Sequence, residues 1–203
     1  ENLRGQLKDR LDYCITILND CQEAFDDNSN GLKGFIGGQP INQIWTGLYA
    51  NDLTEFRKYG GWVPFYCEHK VLAGLRDAWI YAGNEQAKEC FRKLCQWSAD
   101  VVSKLSYSDM QNALGWEHGG MNETLADAYT IFGDEKYRAA AKKYSHQYMI
   151  DGMKTFSPTF LDGKHANTQV PKYIGFERIW QEDHNMTSYR KATLNFWEDV
   201  ANN

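Results

Sequence analysis

The sequence predicts an all-α chain of stacked helical hairpins, and three observations carry that prediction. Apolar residues recur at three- and four-residue steps, as in Leu7, Leu11, Cys14, Ile15, Leu18, Cys21 and Phe25. No segment keeps the alternation of a half-buried strand. The chain also repeats: shifted by fifty residues, DAYTIFGDEKY (127–137) lies over DAWIYAGNEQA (77–87), so that Asp77 meets Asp127, Gly83 meets Gly133 and Glu85 meets Glu135. A weaker third copy runs through Phe176–Asp183 into a helix at 186–200. A period near fifty with two helices per period reads as hairpins stacked side by side in a single domain spanning residues 1–203.

Taken in order, residues 3–26 form one amphipathic helix that ends at DDNSNG. Residues 31–40, GLKGFIGGQP, are a Gly-rich loop without a phosphate-loop pattern, read either as a plain connector or as a cleft lining with a Gly–Gly hinge. A short helix or irregular segment follows around Leu48–Phe56. Pro64 opens the first long hairpin helix, which buries Phe65, Leu72, Leu75, Ala78 and Trp79. Its partner, 84–105, turns Phe91, Leu94, Trp97, Val101 and Leu105 inward. Residues 106–114 are a linker with a turn of helix. The stretch WEHGGMNETLADAYTIFGD (116–134) packs a polar cluster and a Gly–Gly joint at a helix entrance. Gly133 ends that helix and Asp134 caps the next, 135–149, where Tyr137, Ala140, Ala141 and Tyr144 pack. His146 reads as a packing or surface residue of this helix. Residues 150–166 are a loop, and 165–180 open the third hairpin, with Pro171 tolerable in the first turn and otherwise kinking the helix.

Composition narrows the function. Aromatic residues make up 14% of the chain, with seven Trp and twelve Tyr, which suits helix–helix contacts or a sugar-stacking cleft. The net charge of −5 and the dispersed basic residues argue against a nucleic-acid partner or an anionic membrane. Apolar runs are too short to span a bilayer. Five cysteines (Cys14, Cys21, Cys67, Cys90, Cys95) form no CxxC pair and read as mostly buried thiols, with no zinc motif among them.

The chemistry concentrates at helix entrances. His69, His118 and His165 precede or begin the first helix of successive hairpins, 49 and then 47 residues apart. Equivalent positions in stacked hairpins share a face, so a curved array brings three imidazoles toward one mouth. Three neutral imidazoles suit an open zinc site, but no two of them share a helix at ligand spacing. Sugar binding is the stronger reading: the imidazoles, the amides of Asn122, Asn167 and Gln169, and Trp62 and Trp116 offer donors, acceptors and stacking faces. Glu68, Glu117 and Glu123 stand at the same level as candidate carboxylates for glycoside chemistry.

Three segments make the resemblance specific: WVPFYCEHKVLAGLRDAWIYAGNEQA, EHGGMNETLADAYTIFGDEKYRAAAKKYSHQYMID and LDGKHANTQVPKYIGFERIW. From about Gly60 onward the chain resembles the β-L-arabinofuranosidase group of glycoside hydrolases, families 127 and 146. The resemblance implies an (α/α)6-type barrel, the six-hairpin toroid, and removal of terminal β-L-arabinofuranose from plant glycans with retention. It implies that His69, His118 and His165 line the sugar subsite and bond its hydroxyls; Glu117, Asn122, Glu123, Asn167 and Gln169 are read from their chemistry and position as further substrate-binding residues. The family's acid/base Glu, its cysteine nucleophile and its zinc ligands match positions beyond Asn203. On that reading the chain is a partial barrel, holds no cofactor of its own and is inactive alone. The resemblance further suggests a bacterial protein of the periplasm or cytoplasm.

Two other classes compete with this reading. An α-solenoid scaffold would spread its polar residues along a groove, and a sugar 2-epimerase-like barrel would lack HGGMNE and HANTQ. An open array also leaves apolar end faces, which two copies pairing as a homodimer would cover.

Overall fold

The computed structural model describes residues 2–25, 31–39 and 42–202, and every regular element among them is helical. Helix α1 (Leu3–Glu23) is capped by Asn2, whose side chain accepts from the Arg4 amide. The expected stop at DDNSNG falls largely on residues 26–30, which lie outside the described residues. The segment around Leu48–Phe56 resolves into two short helices, α2 (Gln43–Tyr49) and α3 (Thr54–Tyr59), followed by a 3-10 turn, Gly60–Trp62.

The hairpins then follow in sequence. Helix α4 (Pro64–Ala82) starts on Pro64 and stops at Gly83, whose φ of 69° is the left-handed ending that glycine permits. Asn84 then caps α5 (Glu85–Val101) by accepting from the Ala87 amide. The same device recurs one period later. Gly133 (φ 73°) ends α7 (Met121–Phe132), and Asp134 caps α8 (Glu135–Lys143). Helix α10 (Ala166–Glu182) pairs with α11 (Thr187–Asn202). Here Asp183, in an extended conformation, replaces the glycine, which is why the third copy reads more weakly.

Helices α4, α7 and α10, the first of each hairpin, lie side by side, and α5 and α8 pack behind them. Helix α1 covers α4 and α5. The core is aromatic at its centre: Trp45 and Trp97 meet edge to face at 5.0 Å, with Phe35 against Trp97 at 4.8 Å and Phe56 against Phe65 at 4.9 Å. Most of the aromatic content is thus core packing. Tyr137, Ala140, Ala141 and Tyr144 are buried as expected, as are all five inward residues named for the second helix.

Four expectations are corrected. Residues 135–149 are not one helix: the chain breaks at Tyr144–His146 and restarts as α9 (Gln147–Thr155), which takes much of the expected loop. The cause is a long-range clip. Gln111, on α6 (Tyr107–Ala113), donates to the Ser145 carbonyl at 3.0 Å and accepts from the Gln147 amide at 2.8 Å. The presumed linker at 106–114 is therefore itself a capped helix. The cysteines divide: Cys90 and Cys95 are buried, Cys67 is half-buried, and Cys14 and Cys21 are exposed. Pro171 sits in the second turn of α10, which continues through it.

Candidate sugar site

The candidate site lies where the entrances of α7 and α10 meet the second turn of α4: His69, expected at a helix start, sits six residues into α4, because that helix already begins at Pro64. Its floor is the turn Trp116–Gly120, leading into α7. The Gly120 amide donates to His69 Nδ1 at 3.0 Å, tying α4 to this turn. Both glycines are required by that approach rather than by flexibility. Gly119 is left-handed (φ 56°), and a Cβ on it would stand 2.5 Å from His69 Nδ1. A Cβ on Gly120 would stand 2.9 Å from both His69 Nε2 and Glu123 Oε2.

These contacts fix protons. An amide only donates, so His69 Nδ1 is bare and its hydrogen is on Nε2. Burial, then the positive charges of Lys70 and Arg76, push His69 down to about 4, so the ring is neutral near pH 7. His118 is the reverse tautomer. Its Nδ1 lies 3.0 Å from the Trp116 carbonyl, which only accepts, so Nδ1 holds the hydrogen and Nε2 is an acceptor. His118 is wholly enclosed, and its Nε2 has no partner among the described residues. Burial holds it well below the usual histidine range.

Helix α10 closes the other side. Asn167 Nδ2 donates to Glu117 Oε1 at 2.9 Å, joining the two entrances. Asn122 lies beneath the site: its amide donates to the Lys172 carbonyl at 3.0 Å and its oxygen accepts from the Glu123 amide. Gly175 is what lets α10 come so near, because a Cβ there would overlap the Asn122 amide. Asn122 therefore shapes the site by holding α10. Gln169 lies one turn from Lys172 on α10, half-buried, and its Oε1 has no partner among the described residues. His165 is the N-cap residue of α10 and is exposed. Trp116, exposed, opens the turn and lies over Gly60, and Trp62, also exposed, follows two residues after that glycine.

The three carboxylates are not one set. Glu123 accepts from Arg76 Nη1 at 3.1 Å, and Arg76 also pairs with Asp77 and Asp127. Glu117 bonds Asn167. Glu68 is buried against Gly37 of the Gly-rich segment, and burial raises its carboxyl well above the ordinary range. Among the described residues, no three His, Cys, Asp or Glu side chains are grouped to hold a metal ion. A separate hollow of about 540 Å3, lined in part by Glu23, Tyr49, Lys93 and Lys104, shares no residue with this site.

Two residues that sequence reasoning passed over belong here. The break after α8 brings His146 against His118, ring centroids 5.8 Å apart, and Lys172 Nζ lies 3.1 Å from His146 Nδ1. Lys172 closes the segment HANTQVPK, seven residues after His165. Its spacing places it two helical turns along the same face. That was the available signal. Nothing in the local sequence marked His146, because the helix break is imposed from α6.

A family model described as beta-L-arabinofuranosidase, GH127 catalytic domain, matches residues 4–203. No curated protein matches the chain.

Proposed function

Since the chain belongs to the GH127 family of β-L-arabinofuranosidase catalytic domains, we propose that it forms the sugar-recognising part of an (α/α) barrel. That barrel removes terminal β-L-arabinofuranosyl residues from plant glycans. One observation supports this reading above the others: the Gly120–His69 hydrogen bond, which leaves His69 Nε2–H as a donor with a fixed direction. A furanose hydroxyl both gives and takes a hydrogen bond, so the site needs donors and acceptors side by side. The donor is His69; Glu117 supplies an acceptor; Trp62 and Trp116 supply apolar faces for the ring. His165, exposed at the start of α10, is the third imidazole assigned to a hydroxyl in this reading.

Proton transfer and nucleophilic attack are assigned outside this set. Glu123 is held by Arg76, and the buried thiols Cys90 and Cys95 are pushed up by burial, away from the thiolate that attack requires. The zinc that the family implies has no matching donor set among the described residues. The barrel reading draws support from the side-by-side placement of α4, α7 and α10.

Calorimetric titration with methyl β-L-arabinofuranoside, alongside an aryl β-L-arabinofuranoside turnover assay, tests the proposal. Saturable binding that His69→Ala weakens about 10-fold is expected, with no turnover. Absence of binding sinks the sugar reading. Turnover by this polypeptide sinks the assignment of recognition without the nucleophile.

A further inference from the structure

Lys172 is a cation buried without a carboxylate partner. It is 2% exposed, its ammonium donates to the His146 imidazole, and the Glu117 carboxylate acts on it through space only. Burying an unpaired ammonium is costly, and an apolar side chain of the same length would fill the space without that cost. The groups acting on it come from two elements, His146 before α9 and Glu117 and His118 on the turn before α7, while Asn122 on α7 holds its backbone carbonyl. An ammonium only donates, so His146 Nδ1 is its acceptor and the His146 hydrogen is on Nε2. The His146 ring meets His118 at an interplanar angle of 72°. His118 in turn donates to the Trp116 carbonyl at 3.0 Å. The contacts therefore run without a gap from α10 to the turn that presents Glu117 and Gly120.

We propose that Lys172 and His146 are positioning residues of the sugar site: the ammonium orients the His146 ring, and that ring holds His118 and the Trp116–Gly120 turn in register. This rests on the sugar reading of the site and adds two residues to it. The role belongs to the charge, not to the volume, of the lysine.

Nitrogen-15 spectra of the histidines in the intact chain test it between pH 6.5 and 10. Burial lowers Lys172 to about 8, so the His146 and His118 signals are expected to step near that pH, far above the pH where either ring titrates. In Lys172→Met the step disappears, His146 populates both tautomers, and the Kd for methyl β-L-arabinofuranoside rises about 10-fold; Lys172→Arg restores most of the affinity. A wild-type His146 that populates both tautomers overturns the proposal, and that spectrum decides even if Lys172→Met fails to fold. Loss of affinity in Lys172→Met with unchanged histidine spectra also overturns it. A step near pH 8 in a chain that binds no sugar leaves the relay standing and rejects the sugar reading.

Discussion

Gly119 and Gly120 govern the site at the scale of single residues. A side chain on Gly119 meets His69 and also forces an L-residue into the left-handed region, which costs about 1–2 kcal/mol. Gly119→Ala is expected to lower the melting temperature and to weaken sugar binding more than its stability loss explains. Thermal melts beside titrations would check this. The neutral imidazoles set the acid limit. His69 and His146 ionise near pH 4 when folded, against an ordinary 6.5. The unfolded chain thus binds more protons between these values. The stability they confer is complete above pH 6.5 and lost as pH falls through about 4. For His69 that amounts to about 3 kcal/mol. Urea unfolding from pH 7 to pH 4 should show the decline, and His69→Gln should flatten it. Glu68 has the opposite sign: its folded value is raised, so its contribution is complete at low pH and lost as pH rises through that value.

Among the helices, the charged partners repeat as the hairpins do. Asp127 on α7 accepts from Arg76 on α4, and from Arg178 on α10 at 2.7 Å, so one carboxylate ties the three first helices together. Asp127 is only 15% exposed at its side chain, which keeps solvent from replacing those bonds. Asp127→Asn is expected to cost about 2 kcal/mol in denaturant unfolding. Glu135→Gln, on the surface, should cost under about 1 kcal/mol. Close approach matters as much as charge. Gly175→Ala would press on Asn122 and push α10 from α7, at about 1–3 kcal/mol. The caps Asn84 and Asp134 were legible in sequence because each acts on its own helix. The Gln111 clip was not, because the residues it joins lie 34 and 36 positions away.

Across the whole molecule, the end helices face outward with apolar surface. On α1, Leu3, Leu7 and Ile17 are exposed, and the predicted stripe is covered only on the side of Ile15. On α11, Leu194, Trp197 and Val200 are exposed at three-residue steps, and Val170 and Ile174 of α10 are exposed as well. Helices α5, α7 and α8 expose no large apolar side chain, whereas α4 exposes Ile80 and Tyr81 near its end. We therefore expect concentration-dependent pairing of this polypeptide in sedimentation and binding of an apolar-surface dye. A strict monomer that binds no dye would remove that expectation. No helix among the described residues is long and apolar enough to cross a membrane.

By itself the sequence determined the hairpins, their period and their stops, because apolar spacing, glycine endings and side-chain caps act within a helix turn or two. It also placed Glu117, His118 and Asn122 at the entrance of α7 and Asn167 at that of α10, whereas His69, expected at a helix start, lies in the second turn of α4. Tertiary structure alone decided what each of them does. Asn122 is spent on α10 and Glu123 on Arg76, while His118 lies enclosed beneath the turn. His146 and Lys172 join the site because a glutamine on α6 breaks a helix and a glycine on α10 admits close packing. Tautomers, burial and partner choice depend on atoms about fifty residues away in sequence, as with His69 and Gly120, and no local pattern encodes those.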